Sequence, residues 1–407
     1  MDRHRDRLAH PPLPQLIEHL RRFPTLEALR RSAWYHEHRR ALARLLNTPE
    51  LYPSPGARPR LRAFIRAVQW NIEKGKAFDG LVEILSRHPV LKYADLIFLN
   101  EVDDGMARSG NRHVARELGA RLHMHVAFAP AHLELTKGWG DDVHAPGENR
   151  GGRQGNALLS RYPLGDVRIV ELPAEFELFE FAEKRFGRRV ALVAEVLIDG
   201  KPLIAIGVHL EVRTTPRGRA RQMAALMETL DRWSMRGPAL LAGDLNTHTF
   251  SRGTRWRTIH STARLLLASP PRLKQRLLRP HRSGSEPLFA ILEQRGFEID
   301  AFNSSQPTHR SHLTTLEDAD HLPGPIRSWV LSRLARYDHR LDMKLDWMAG
   351  RDVRALRAGE LTDAATGITS LDPQAIPSLV VQGRPLADHD PIVVDIRLAG
   401  GSASRHR

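Results

Sequence analysis

The chain has 407 residues, 41% hydrophobic and 27% charged, which suffices for one large domain or two ordinary ones. It contains no cysteine, which excludes a disulfide framework and thiolate metal sites. No apolar stretch is long enough for a spanning helix, and the polar start Met-Asp-Arg-His-Arg does not read as a secretory signal, so the expected address is the cytoplasm.

The net charge of +14 is unevenly placed. The first 66 residues carry 14 arginines, no lysine and 6 acids, and residues 252–282 carry 9 basic residues and no acid. The rest is close to neutral. Two basic segments on a neutral body point to a polyanion: nucleic acid, a phosphorylated substrate or an anionic membrane surface.

In chain order, residues 13–46 read as helical, with Leu16, Ile17 and Leu20, then Leu26, Leu29 and Ala33, at helical spacing and a break at Pro24-Thr25. Residues 47–60, with four prolines and Gly56, read as a linker, so residues 1–60 are expected to form a helical extension to a main domain at 61–398. Strands are expected at Phe64–Trp70, Ala94–Glu101, His123–Phe128 and Asn156–Ser160. Helices are expected at Phe78–Arg87 and 112–120, and a Gly-rich loop at 136–155. Val167–Leu172, Arg189–Ile198 and Leu203–Leu210 read as further strands, the last two joined by the hairpin signal Asp199-Gly200. An amphipathic helix over Arg217–Trp233 leads to the apolar run Ala239-Leu-Leu-Ala242. Beyond the basic insertion 252–282 come a helix at Ser285–Arg295, a strand at Asp342–Met348 and a last strand at Pro391–Leu398. Residues 399–407 read as a disordered tail. About ten strands, some joined by hairpins and some by helices, imply an α/β (α+β) fold of mixed sheets covered by helices.

Six of these strands end on chemically capable residues: Asn71, Glu101, His209, Asp244 with Asn246, Asp346, and Asp388-His389. Each closes or interrupts an apolar run, where an unpaired polar group costs several kcal/mol. Together they suit metal-assisted attack of water on a phosphate ester. Carboxylates hold a hard divalent cation, a histidine beside a carboxylate takes a proton, and amides or a second histidine donate to developing negative charge.

The series Trp70-Asn71-Ile, Leu99-Asn-Glu101-Val, Gly155-Asn-Ala-Leu-Leu-Ser-Arg161, Val208-His-Leu210, Gly243-Asp-Leu-Asn246, Leu345-Asp-Trp347 and Asp388-His-Asp-Pro391 resembles the endonuclease/exonuclease/phosphatase superfamily. The match runs in the family's order from Val68 to Leu398. It implies a four-layer sandwich of two packed mixed sheets flanked by helices, and phosphoester cleavage dependent on Mg²⁺ or Mn²⁺. It also implies that Glu101, Asn71 and Asp388 serve the metal, and that His389 pairs with Asp346. Asp244 and Asn246 would orient water and phosphate, His209 would stand on the phosphate side, and Asn156 would face the substrate. Arg153, Glu73 and Arg189 are polar neighbours without an implied role.

Two departures narrow the resemblance. Gly207-Val-His209-Leu stands where abasic-site endonucleases of the family carry Tyr and Asn, which argues against that branch. His209-Leu-Glu211 is similar instead to the branch of tyrosyl-DNA phosphodiesterases, deadenylases and sphingomyelinase-like and DNase I-like enzymes. Ala387 replaces a common serine before Asp388. The resulting expectation is a phosphodiesterase or nuclease acting on nucleic acid, with no obligate protein partner. Its alternatives are an enzyme of inositol phosphates or phospholipid headgroups and a non-catalytic scaffold.

Overall fold

The computed structural model describes residues 12–249, 267, 269–312, 324, 325, 328, 332 and 340–398. The expected tail and residues 252–266 and 268 of the basic segment lie outside the described residues. Three helices open the chain: α1 (Leu13–Arg21), α2 (Leu26–Arg31) and α3 (Ala33–Asn47). Thr25 and Ser32 cap the second and third, each side chain accepting from a backbone N–H three residues on. Residues 47–60, expected to be a linker, contain a strand, β1 (Glu50–Tyr52).

The next third of the chain holds β2 (Ile65–Lys74), α4 (Phe78–Arg87), β3 (Leu96–Asp104), α5 (Val114–Leu122), β4 (His125–Glu134) and β5 (Arg153–Ser160). Then come β6 (Leu164–Glu171), β7 (Arg185–Gly187), β8 (Val190–Ile198), β9 (Lys201–His209), α6 (Pro216–Arg232) and β10 (Ala239–Asp244). Beyond these lie α7 (Pro270–Leu278), α8 (Leu288–Gln294), β11 (His309–His312), β12 (Arg340–Met343) and β13 (Asp346–Arg351). The chain closes with β14 (Val353–Ala355), β15 (Gln374–Ala375), β16 (Val380–Val381), β17 (Arg384–Pro385) and β18 (Ile392–Leu398).

Nine strands form one sheet in the order β1-β4-β5-β3-β2-β18-β14, with β7 beside β4 and β15 beside β18. Five form a second, β13-β10-β9-β8-β6. Each sheet contains one parallel pair, β2 with β3 and β9 with β10, bridged by α4 and α6 respectively; the other pairs are antiparallel. The β8–β9 turn is the expected hairpin, with Asp199 at φ 49° and Gly200 at φ 77°, the left-handed pair that a two-residue turn requires.

The burial pattern explains the apolar runs. Leu240 and Ala242 of β10 face the layer between the sheets with Phe98, Leu158, Leu192 and Met348. Ala239 and Leu241 point the other way, onto Leu226, Leu230 and Leu292 of α6 and α8. On the first sheet, Val68, Trp70, Ile97 and Leu99 pack beneath Phe78, Leu81 and Leu118 of α4 and α5. Both faces of both sheets are therefore covered, which is why the central strands are apolar without alternation. The result is the helix–sheet–sheet–helix sandwich that the sequence implies. The opening helices add Leu20, Leu29 and Leu42 to a cluster with Leu133, Leu135 and Phe179, and β1 pairs with β4, so both are packed into the first sheet.

One expected strand is two. Asp342–Met348 breaks at Lys344-Leu345, with β12 pairing β11 and β13 pairing β10. The Thr308 hydroxyl accepts from both Leu345 N and Asp346 N, at 3.0 and 3.1 Å, and ends the first ladder there. No helix among the described residues is long and apolar enough to cross a membrane.

Candidate active site

Strand alternation aims the polar residues into one place. On β3, Leu96 and Phe98 face the inter-sheet layer, so the next inward position is Asn100. The same parity turns Gln69 and Asn71 of β2, Asn156 of β5, His209 of β9, Asp244 of β10 and Asp346 of β13 into that layer. Register aligns three of them: Asp346, Asp244 and His209 are cross-strand partners in one row over β13, β10 and β9. Directly opposed residues share a face, so the row forms a polar end to an otherwise apolar layer. Gly243 precedes it because a Cβ there would lie 1.8 Å from the Val208 carbonyl oxygen.

Asn100 ties the two sheets together. Its Oδ1 accepts from Gln69 Nε2 at 2.7 Å and from the Asp244 backbone N–H at 2.8 Å. Its Nδ2 donates to Asn156 Oδ1 at 2.9 Å and to the Val208 carbonyl at 3.2 Å. Asn156 in turn donates to the Val190 carbonyl at 2.9 Å, so both ends of its amide are engaged between the sheets.

Two histidines flank Asp244. His389 Nδ1 meets Asp346 Oδ2 at 2.7 Å, leaving Nε2 3.9 Å from Asp244 Oδ2. Gln69 Nε2 reaches Asp346 Oδ1 at 3.3 Å, and Trp70 Nε1 holds the His389 carbonyl at 2.9 Å. Burial disfavours the imidazolium of His389, but the carboxylates of Asp346, Asp388 and Asp244 more than offset this and hold it well above the usual imidazole range. His209 is the opposite case. Burial, reinforced by the charges of Arg189 and His389, keeps it neutral. Arg189 Nη1 lies 2.8 Å from His209 Nδ1, and because a guanidinium only donates, Nδ1 carries the lone pair and Nε2 the proton. That Nε2–H faces Asp244 Oδ2 at 3.4 Å.

Asp244 is fully enclosed by neutral or imidazole partners. Its Oδ1 accepts from Asn246 N at 2.9 Å, and its Oδ2 accepts from Asn71 Nδ2 at 3.2 Å. Burial pushes its carboxyl up to about 7 against the pull of His389. Asn246 has φ 51° and donates its Nδ2 to the Leu210 carbonyl at 3.0 Å. Glu101 also sits in the left-handed region, at φ 52°, where β3 shifts register between Leu99 and Val102. A non-glycine residue there costs on the order of 1–3 kcal/mol, so the bulge swings Glu101 out of the pleat at an energetic penalty.

Glu101 stands in a second acidic group with Glu73 and Asp388. Burial and the charges of Asp388 and Glu101 push the Glu73 carboxyl up, although Lys76 lies 3.0 Å away. Asp388 neighbours His309, at 3.9 Å, and His389, the three offering donor atoms within 4.8 Å of one another. Oxygen donors with mutually unfavourable charge fit a hard divalent cation.

The model of the Endonuclease/Exonuclease/phosphatase family matches residues 68–331. The chain belongs to this family. Similar solved structures include an endonuclease/exonuclease/phosphatase from Beutenbergia cavernae DSM 12333, 17% identical over 83% of this chain and 72% of that one, with a TM-score of 0.47. The human Nocturnin catalytic domain is 16% identical over 86% and 97%, TM-score 0.42. An AP endonuclease from Archaeoglobus fulgidus is 14% identical over 81% and 98%, TM-score 0.43. No curated protein matches.

Of the residues singled out from the family motifs, Asn71, His209, Asp244, Asn246, Asp346 and His389 are linked by direct contacts, and Asn156 joins them through Asn100. Asp388 joins through His389 and His309. Glu101 is linked to the group electrostatically, through Glu73. Asn100, Gln69 and Thr308 were not singled out from the sequence, and Arg189 was named there without a role. Asn100 was legible as a buried amide inside the run Leu96-Ile-Phe-Leu-Asn100, and Arg189 as a charge opening the strand paired with that of His209. Thr308 and His309 lie in an irregular stretch without periodicity and carried no signal.

Proposed function

We propose that this family member hydrolyses phosphodiesters, with nucleic acid as the substrate class, by direct attack of water. The observation that carries the reading is the Asp346–His389–Asp244 arrangement at the end of the inter-sheet layer. His389 keeps Nδ1–H on Asp346, so Nε2 is the atom that faces the water, and it takes the proton once His389 is deprotonated, a form that positive charge at the neighbouring acidic group would favour. Asp244 Oδ2, 3.9 Å from that nitrogen, orients the water, and its own geometry is fixed by Asn246 and Asn71. His209, neutral and protonated on Nε2, donates to a phosphoryl oxygen as negative charge develops. Asn246 supports the same phosphate, and Asn156 acts through Asn100, keeping the two sheets in register beneath it.

Glu101, Asn71 and Asp388 would hold a divalent cation, Mg²⁺ or Mn²⁺. Such an ion, when bound, polarises the phosphoryl group and stabilises the leaving oxygen. The described part of the basic insertion, with Arg272, Lys274, Arg276, Arg279 and Arg282 and no acid, supports a polyanionic substrate.

Turnover of DNA, RNA, inositol phosphates and phospholipid headgroups, each with Mg²⁺ and Mn²⁺, tests the reading. Nucleic acid is expected to be cleaved, and His389→Ala and Glu101→Ala to lose at least about 100-fold in kcat. Hydrolysis unchanged by either substitution would overturn the mechanism.

A further inference from the structure

A cavity of about 640 Å³ opens beside the site, lined by Arg213, Arg217, Arg221, Glu175 and Ser285 among others. It lies within the usual range for ligand pockets and takes none of the candidate site residues. It begins four residues beyond His209, a span of at most about 14 Å of extended chain. A run of side chains joins the two: Glu211 Oε1 accepts from Arg213 N at 3.2 Å, its other oxygen lies 3.7 Å from Arg189 Nε, and Arg189 holds His209.

The three arginines are not equivalent. Arg221 is held by both oxygens of Glu175, so its charge is cancelled. Arg213 lies over two aromatic rings, 4.3 Å from the centroid of Phe181 and 5.8 Å from that of Phe176. Phe181 is one of the few exposed large apolar residues, at 37%. Arg217 is exposed and has no hydrogen-bond or ion-pair partner among the described residues. The cavity lining therefore presents one cation without a partner among the described residues, Arg217, and the flat guanidinium of Arg213, which is backed by Phe181 just outside the lining. A headgroup bearing several phosphates would need several uncommitted cations. One phosphate together with one planar ring is the signature of a nucleotide, since every base offers a π-face to stack on such a platform.

We propose that this cavity is a subsite for an unpaired nucleotide of the substrate strand, its base stacked on the Phe181–Arg213 platform and its phosphate on Arg217. This deepens the phosphodiesterase reading and rests on it for the identity of the strand. A base engaged in a duplex has no free face to offer, so the subsite selects single-stranded segments or frayed ends.

The test measures anisotropy of a labelled single-stranded oligonucleotide without divalent metal, so that nothing is cleaved. Phe181→Ala and Arg217→Ala are each expected to weaken binding about tenfold, and Phe181→Trp to retain it. Turnover of a small bis-aryl phosphodiester, too short to reach the cavity, is expected to stay at the wild-type rate in all three. Unchanged oligonucleotide affinity in both alanine variants overturns the subsite, as does an equal loss for a blunt duplex. Arg217-dependent binding to vesicles containing phosphatidylinositol phosphate, without an effect on the oligonucleotide, overturns it in favour of a membrane surface. A wild-type protein that cleaves no phosphodiester would overturn the catalytic reading alone, and the binding arm would still decide the subsite.

Discussion

Two buried polar regions lie side by side in this protein and are built on opposite principles. In the first, Arg108 binds Asp103 through two nitrogens, at 2.8 and 3.0 Å, and also reaches Glu134 and Glu183. Arg185 bridges Glu134 and Glu183 at 2.9 and 2.7 Å, and Lys74 binds Asp142 at 2.7 Å. Each of these carboxylates has a full cation against it. Burial opposes ionisation of Glu183, yet Arg185, Lys74 and Arg108 hold it well below the usual carboxylate range. In the second region, Asp244 takes its hydrogen bonds from amides, with the His389 imidazole 3.9 Å away and the Asp346 carboxylate beside it, and burial raises its carboxyl to about 7. The difference separates a region of ion pairs from one whose acid can still titrate. Burial raises the Glu134 carboxyl despite its two arginines, but Glu183, met by three cations, stays ionised, whereas Asp244, met mainly by amides, is left able to take a proton.

Breaking the arginine-locked region should have the largest effect on stability. Arg108→Ala would strand several buried carboxylates and is expected to cost about 3–5 kcal/mol, read as a lower urea midpoint. A loss below about 1 kcal/mol would mean that the network is hydrated and the contrast with Asp244 unfounded.

Asp244→Asn should act in the opposite sense on stability while removing activity. The folded carboxyl binds its proton up to about pH 7, whereas an unfolded aspartate releases it near 3.8. Protonated Asp244 therefore favours the native state fully below about pH 4, and this contribution is lost as pH rises through 7. In metal-free protein, Asp244→Asn is expected to be more stable than wild type at pH 8, by on the order of 1–3 kcal/mol, with the gain fading towards pH 4. Its kcat should fall at least about 100-fold. Equal stability of the two proteins across that range would show that Asp244 titrates normally.

The smallest expected effect is at the boundary between the regions. Arg189→Gln removes the charge that fixes the His209 tautomer and draws the donor back from Nδ1, so kcat is expected to drop about tenfold, with a smaller loss of stability than in Arg108→Ala because only Glu211 loses a cation. Nitrogen NMR of the imidazoles should show His209 protonated on Nε2 alone in the wild type. A mixture of tautomers there would remove the basis for Arg189's role.

Much of the fold was legible because its causes are local. The span of α4 follows from apolar spacing, the β8–β9 turn from Asp199-Gly200, and the central strands from runs apolar on both faces. The six polar strand ends were legible as well, because a carboxylate, amide or imidazole closing a buried run is costly without a purpose. The strand break at Lys344-Leu345 was not legible, since it depends on Thr308, far away in sequence, accepting from two backbone groups.

The sequence by itself thus determined which chemically capable residues would stand at or beside buried strands. Only the tertiary structure decided their partners. Register across β13, β10 and β9 set Asp346, Asp244 and His209 in one row, and sheet packing brought Asn100 against the backbone of Asp244. Arg189, not a carboxylate, came to rest on His209. Hydrophobic periodicity specifies which face a residue takes, but a hydrogen bond between residues more than a hundred positions apart depends on how two sheets are stacked, and no local pattern encodes that.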